Sequence, residues 1–270
     1  MKNLVSVIIP CFNNASTLAE TIASVQNQTF KSFEIIVVDD GSTDASINVV
    51  NEIIAQDADK IISVYQQKNS GPSKARNVGA SYAKGKYLMF LDADDLIHTD
   101  YLELTVDLLE KDNALNVVYS KAAFFDARKG EWKLKPFSRK KILMENMIFI
   151  SAVVRKNVFD GVGGFDEQIN YCEDWDLWIG IVFKYGGVYK IDKTLFYYRK
   201  RQDSSSLSDK MNFKIHDSIE FIYKKHYAYY VQEGYGVHQI FDLANRYESL
   251  YHKYYNVWYR RLFYLFKKRK

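Results

Sequence analysis

Three aspartates close an apolar run at Tyr87-Leu88-Met89-Phe90-Leu91-Asp92-Ala93-Asp94-Asp95. The apolar part reads as a buried strand, and the carboxylates sit where it surfaces. Carboxylates this close repel one another. A divalent cation with its phosphate ligand relieves that repulsion, and Mg²⁺ or Mn²⁺ held by one or two carboxylates plus a diphosphate is the usual form of such a site. The other role open to them is a solvated acidic turn that caps the helix following Thr99. A second acidic pair, Glu173-Asp174, opens another expected helix. A carboxylate there can serve as a general base or complement the helix dipole, and the two roles are compatible.

Alternating strand and helix patterns position these groups. Val5–Ile9 is a strand ended by Pro10. A helix should start near Thr17, where Thr17-x-x-Glu20 has the form of a capping box. Phe33–Val38 and Ile61–Tyr65 are further strands, and Gly71-Pro72 opens a helix with Pro in its first turn. Tyr87–Leu91 is the fourth strand, followed by helix Tyr101–Lys111 and strand Val117–Ser120. Repeated βα units imply an α/β fold with a mostly parallel, twisted sheet and helices on both faces. Ligands in such folds bind beyond the carboxyl ends of the strands. The polar clusters Cys11–Asn14, Asp39–Ser42, Asn69–Gly71 and Asp92–Asp95 all fall there. The second half is less regular, with a hairpin turn at Asp126–Glu131, a glycine-rich loop at Gly161–Asp166, a helix at Asp174–Tyr185 and an edge strand at Thr194–Tyr198. A serine-rich break at Gln202–Asp209 precedes a helical remainder interrupted near Gly234 and Gly236.

The 270 residues suffice for one α/β domain plus an appendage. Net charge is only +4, so nothing demands nucleic acid as a partner. The two cysteines, Cys11 and Cys172, lack metal-ligand spacing and fit a reducing cytoplasm. No apolar run approaches the roughly 20 residues that span a bilayer. The start, Met1 to Pro10, faintly resembles a signal peptide but reads as a first buried strand. After Glu248 there is no acidic residue, while Lys253, Arg260, Arg261, Lys267, Lys268, Arg269 and Lys270 remain. On a helical wheel Tyr251, Tyr254, Tyr255, Trp258, Leu262, Leu265 and Phe266 gather opposite the basic residues. Such a helix can lie on an anionic membrane or pack on the catalytic domain with a frayed basic end.

Taken in order, Ser6 to Asn13, Gln28-Thr29-Phe30, Glu34 to Asp44, Asn69 to Gly79, Phe90 to Asp95, Gly163-Gly164-Phe165-Asp166 and Glu173-Asp174-Trp175-Asp176-Leu177-Trp178 strongly resemble the family 2 glycosyltransferases, which have the GT-A fold. The resemblance runs from about Val5 to Arg201. It implies a nucleotide-diphospho-sugar donor, usually a UDP-sugar, with inversion at the anomeric carbon, and Mn²⁺ or Mg²⁺ as cofactor. It gathers Pro10, Phe12, Asn13, Asp39, Asp40, Arg76, Asp92, Ala93 and Asp95 around the donor. Asp40 would meet a uracil edge, and Pro10 and Phe12 would flank the ring unless they serve strand-end packing. Asp39 has the further role of capping the helix after Gly41. Arg76 would reach the diphosphate or the base with its fork of donors; Lys74 is either an auxiliary charge or part of a solvated helix face. Asp94 is the implied metal ligand, with Asp92 near the ribose or donor sugar and Asp95 near the metal or sugar. Asp174 is the implied base and Glu173 its helper. Trp175 and Trp178 would wall the acceptor site, with at least one in the core instead.

One departure stands at Tyr198-Arg199-Lys200-Arg201-Gln202. Many relatives carry a histidine shortly after the Tyr-Arg pair that completes the metal shell. Arg201 or Gln202 stands there in this chain, which leaves a third protein ligand open, or an arginine that grips the diphosphate instead. The Gln-x-x-Arg-Trp element of processive members is absent, which argues for one sugar per encounter. The resemblance therefore implies a catalytic domain over 1–205, with a nucleotide half (1–100) and an acceptor half (101–205), and a helical extension over 206–270. The acceptor would be a glycan or lipid-linked glycan of bacterial surface polysaccharide, met in the cytoplasm at the inner membrane face. Two rivals keep the scaffold: a non-catalytic nucleotide- or glycan-binding protein, and a nucleotidyltransferase. The second wants a glycine-rich loop with a basic residue after the first strand, where this chain has Cys11-Phe12-Asn13-Asn14.

Overall fold

A computed structural model describes residues 4–57, 61–169, 171–201 and 214–254. Strand β1 (Val5–Cys11), helix α1 (Leu18–Gln26), β2 (Phe33–Asp39), α2 (Ser46–Gln56), β3 (Ile62–Gln66), α3 (Pro72–Tyr82) and β4 (Tyr87–Phe90) alternate as the sequence implies. The short strand β5 (Leu96–Ile97), α4 (Tyr101–Lys111), β6 (Val117–Asp126), β7 (Gly130–Trp132), β8 (Val153–Arg155), α5 (Lys156–Val162), α6 (Glu173–Lys184) and β9 (Val188–Lys200) follow. The sheet order is β3-β2-β1-β4-β8-β6-β9-β5, with β7 paired to β6. Strands β1 to β4 pair in parallel, whereas β8 enters antiparallel between β4 and β6.

Apolar side chains on both faces bury the parallel half. Val5, Val7, Ile8 and Ile9 of β1 and Ile35, Val37 and Val38 of β2 are fully enclosed. Each such side chain contributes about 1.5–3 kcal/mol by leaving water. Helix α3 lies unusually close to β1, because a Cβ at Gly79 would stand 2.4 Å from Ile8 Cγ2. That close approach fixes the height of the whole helix over the strand tips.

Several expectations are corrected. The Thr17-x-x-Glu20 capping box does not form: Thr17 Oγ1 donates instead to the Ala93 carbonyl (2.9 Å), and Glu20 pairs with Arg199. Thr194–Tyr198 is not an edge strand. It belongs to the 13-residue β9, which pairs with β6 on one side and β5 on the other. Strand β6 continues past Ser120 to Asp126, through a register shift at Ser120 to Ala122. Asp39 caps no helix, since α2 begins only at Ser46.

The chain divides into two compact units, Met1–Ile222 and Tyr223–Lys270. Helix α7 (Lys214–Lys225) contains the division, and α8 (Tyr227–Gln232) and α9 (Val237–Tyr254) follow, with Gly234 and Gly236 between them. The expected boundary at 205 and the basic end beyond Tyr254 lie outside the described residues. Among those residues no helix is long and apolar enough to cross a membrane.

Candidate active site

The parallel strands β1 to β4 bring their carboxyl ends to one edge, and the sequence's polar clusters meet there. Asn13, in the left-handed region (φ 54°), ties the end of β1 to the loop after β2: its Oδ1 accepts from Thr43 N (2.8 Å), and its N–H donates to Ser42 Oγ (3.0 Å). Phe12 is 46% exposed, which leaves its ring open to a planar ligand, and Pro10 is half-buried. Asp39 is buried and accepts from Ser42 N (3.2 Å) and Gln66 Nε2 (3.3 Å).

Asp40 is buried as well, and it accepts from Gln67 Nε2 (2.7 Å), Ser70 N (2.8 Å) and Gly71 N (2.8 Å). An ionised carboxylate offers about four acceptor positions, so one is left for a base N–H. The bonds from the Ser70 and Gly71 amides fix the chain where Gly71 stands at φ 90°, a value glycine adopts without strain. Asp40 thereby sets where α3 begins, and α3 carries Arg76.

Arg76 is the hub of the site. It is 4% exposed. Nη2 donates to Asp92 Oδ1 (2.7 Å) and Nη1 to Glu173 Oε1 (2.6 Å), and its guanidinium stands 5.5 Å from the Phe165 ring. Burial works against the charge, yet the flanking carboxylates of Asp92 and Glu173 raise its pKa further. Arg76 is thus spoken for by two carboxylates in this structure, where the sequence pointed it toward the diphosphate or the base. The Phe165 backbone is pinned by Asn77, whose Oδ1 accepts its N–H and whose Nδ2 donates to its carbonyl, each at 2.9 Å. Lys74 lies outside and pairs with Glu167 (3.1 Å), as a solvated helix face would.

The aspartates after β4 divide into two kinds. The side chains of Asp92 and Asp94 are 32% and 22% exposed. Asp94 Oδ2 accepts from Arg201 Nη2 (2.8 Å). Burial, then the neighbouring Asp92 charge, holds the Asp94 carboxyl above its usual range against the pull of Arg201. Asp95 turns inward instead and is 1% exposed. Its Oδ1 accepts from Arg199 N (2.9 Å), and burial, with Asp94 and Asp92 adding, pushes its pKa well up. In this structure Asp95 braces the strand-tip loop against β9, directly beside Asp94. Ala93 is buried and offers its carbonyl to Thr17. No side chain of this loop caps α4, so the capping alternative is not realised.

Among the described residues no three of His, Cys, Asp and Glu gather as metal ligands. Asp94, with Asp92 beside it, fits a hard cation that arrives on a diphosphate, since Mg²⁺ and Mn²⁺ sites of that kind take one or two carboxylates from protein. The set does not fit a cation caged by protein alone.

Helix α6 begins at Glu173, after Cys172 in the left-handed region (φ 63°). Asp174 Oδ2 accepts from Asn146 Nδ2 (2.8 Å) and Oδ1 from Trp175 N (2.8 Å). Burial, then the Glu173 charge, pushes its pKa up to about 7, against Asn146 and Arg76. That is where a general base operating near neutrality is most effective. The two tryptophans do not form an acceptor wall. Trp178 is fully buried, and Trp175 is 6% exposed with its indole N–H donated to the Ile142 carbonyl. Both fill the core under α6. Asn146, Arg199 and Asn77 were not singled out from sequence. Asn77 sat inside a motif that carried its position though not its partner; Asn146 carried no pattern at all.

A family model described as Glycosyl transferase family 2 matches residues 6–165. An uncharacterised glycosyltransferase of Rickettsia felis is 35% identical over 198 residues, 71% of this chain and 32% of that protein. The minor teichoic acid biosynthesis protein GgaA of Bacillus subtilis is 28% identical over 257 residues, 90% of this chain and 55% of that protein. The crystal structure of S. aureus TarS 1-349 superposes with a TM-score of 0.62 at 26% identity, covering 72% of this chain and 60% of that one. The same protein in complex with UDP-GlcNAc gives a TM-score of 0.69 at 23% identity, covering 81% and 65%. The fold is therefore of GT-A type, and the chain spans roughly a third to two thirds of the length of these proteins.

Proposed function

The chain belongs to glycosyl transferase family 2, and we propose that it moves one sugar, with inversion, from a UDP-sugar to a hydroxyl of a glycan or lipid-linked glycan in bacterial surface-polysaccharide assembly. One observation carries this reading. The buried Arg76 holds Asp92 of the strand-tip aspartates and Glu173 of the acidic pair on a single guanidinium. A donor-side carboxylate and the neighbour of a base are thereby fixed to one rigid group, which leaves room between them for a sugar whose two faces meet the base and the diphosphate from opposite sides. The likeness of the fold to TarS, solved with UDP-GlcNAc, supports the donor class, and GgaA's printed role in teichoic acid biosynthesis supports the acceptor class.

In this mechanism the acceptor hydroxyl gives its proton to Asp174 while its oxygen attacks the anomeric carbon. The bond from that carbon to the diphosphate oxygen breaks, and the nucleoside diphosphate leaves with the electron pair. Asn146 and the Trp175 N–H hold the Asp174 carboxylate in one orientation. Glu173, fixed by Arg76, keeps a second negative charge beside it and so raises its basicity. Asp94 and Asp92 would hold a Mn²⁺ or Mg²⁺ ion, which when bound supplies charge neutralisation on the leaving diphosphate. The test is UDP release from a panel of UDP-sugars with Mn²⁺ present. Release by the wild-type chain, lost in Asp174→Asn with UDP binding retained, is the expected result. UDP binding without release from any UDP-sugar would favour a non-catalytic binding protein.

The extension serves, in the same proposal, to bring the enzyme to an anionic inner-membrane surface. Phe241, Leu243 and Tyr247 of α9 are 63%, 67% and 72% exposed, and after Glu248 every charged side chain in the sequence is basic. Co-sedimentation with anionic liposomes should fall when those three become serine, and equal partitioning would remove this part of the proposal.

A further inference from the structure

We propose that Arg201 is a diphosphate-binding residue, which the donor-free protein holds in reserve on Asp94. This rests on the donor reading above and names the side chain that takes the phosphate charge. Two arginines stand at the end of β9, and the structure uses them differently. Arg199 is locked: Nε donates to the Asp94 carbonyl (2.8 Å), Nη1 to Asp126 Oδ2 (3.2 Å) and Nη2 to Glu20, and its guanidinium lies 4.4 Å from the Phe125 ring. Its side chain is 10% exposed.

Arg201 is 29% exposed, and among the described residues its contacts run through one nitrogen. Nη2 donates to Asp94 Oδ2 at 2.8 Å and, with the Asn14 amide turned so that its oxygen faces the arginine, to Asn14 at 2.7 Å. Nε is buried and has no partner among the described residues. A buried guanidinium N–H without an acceptor is costly; Arg76 Nε shares that state, but Arg76 is held by two carboxylates and Arg201 by one, so Arg201 keeps donors that its present partners do not use.

The carboxylate that parks Arg201 is the one that fits a diphosphate-borne cation. Cation and guanidinium compete for Asp94, so arrival of the first frees the second. A guanidinium released there offers a planar fork of donors beside a phosphate, whose oxygens accept two parallel N–H bonds. Arg201 would then supply positive charge on the diphosphate beside the cation on Asp94.

Titration calorimetry on the full chain tests this, with UDP, GDP, ADP and dTDP as probes and with the nucleoside matching the tightest of them, each in EDTA and in Mn²⁺. Arg201→Gln should weaken nucleoside diphosphate binding about tenfold or more and leave nucleoside binding within twofold. Arg201→Lys, which keeps the charge and loses the fork, should fall between. Diphosphate affinity within twofold of wild type for Arg201→Gln in both media would overturn the proposal, as would an equal loss for diphosphate and nucleoside. A wild-type chain that binds none of the diphosphates would overturn the donor reading and this inference with it, which separates the two failures.

Discussion

The two halves of the first compact unit position the residues of the candidate site by different means. In the parallel half, Asp39, Asp40 and the Asp92 to Asp95 loop sit where β2 and β4 end, so the backbone alone brings them to one edge. In the second half the groups arrive as side chains from scattered elements: Arg199 and Arg201 from the end of β9, Asn146 from an irregular segment, Glu173 and Asp174 from the start of α6. Where backbone sets position, a substitution should disturb the scaffold. Where side chains set it, a substitution should disturb chemistry and leave the fold standing.

Asp174→Asn gives the largest expected effect and the cleanest case of the second kind. Loss of a general base typically costs 10²–10⁴-fold, so turnover should fall by about 10³ with the thermal midpoint nearly unchanged. The same carboxylate sets the pH dependence. Its working form is the deprotonated one, and with its pKa pushed up to about 7, kcat/KM should rise with pH through about 7 to a plateau. A profile flat from pH 5 to 8 would contradict the assignment.

Arg76→Ala belongs to both kinds, because Arg76 joins the halves. Removing one partner of a buried ion pair costs about 3–5 kcal/mol, and Asp92's partial exposure favours the lower figure. Denaturant unfolding should therefore show a loss of about 3 kcal/mol together with loss of transfer. Arg76→Lys should recover part of the stability and little of the activity, since a single ammonium nitrogen cannot reproduce the two-nitrogen fork that reaches Asp92 and Glu173. Asp95→Ala should act on the scaffold alone: it strands the Arg199 N–H and should cost about 1–3 kcal/mol, while Asp95→Asn, which keeps an acceptor, should come close to wild type. The smallest effect is expected for Thr17→Val, which removes the bond to the Ala93 carbonyl, at about 1 kcal/mol.

The same contrast explains what was legible in the sequence. Strand β4 and its aspartates were readable because an apolar run and its polar end are local. The alternation from β1 to α4 was readable for the same reason. The partners were not. Arg201 meets Asp94 across 107 residues and Arg199 meets Glu20 across 179, and neither distance leaves a mark in a local pattern. Thr17-x-x-Glu20 had the form of a capping box, but both side chains found stronger partners elsewhere in the sheet. Asp95 looked like its two neighbours, yet burial turned it into a brace. Trp175 and Trp178 stood in a chemical motif, and only packing shows that they fill the core beneath it. The strand Thr194–Tyr198 seemed an edge because β5, its outer neighbour, is only two residues long.

A crystal structure of the full chain with UDP and Mn²⁺ tests the central claim most directly. The account predicts the diphosphate between Asp94 and Arg201, the ion on the Asp94 carboxylate, and the Asp174 carboxylate on the side of the donor sugar opposite the diphosphate. A nucleotide bound elsewhere, with Arg201 still on Asp94, would contradict it.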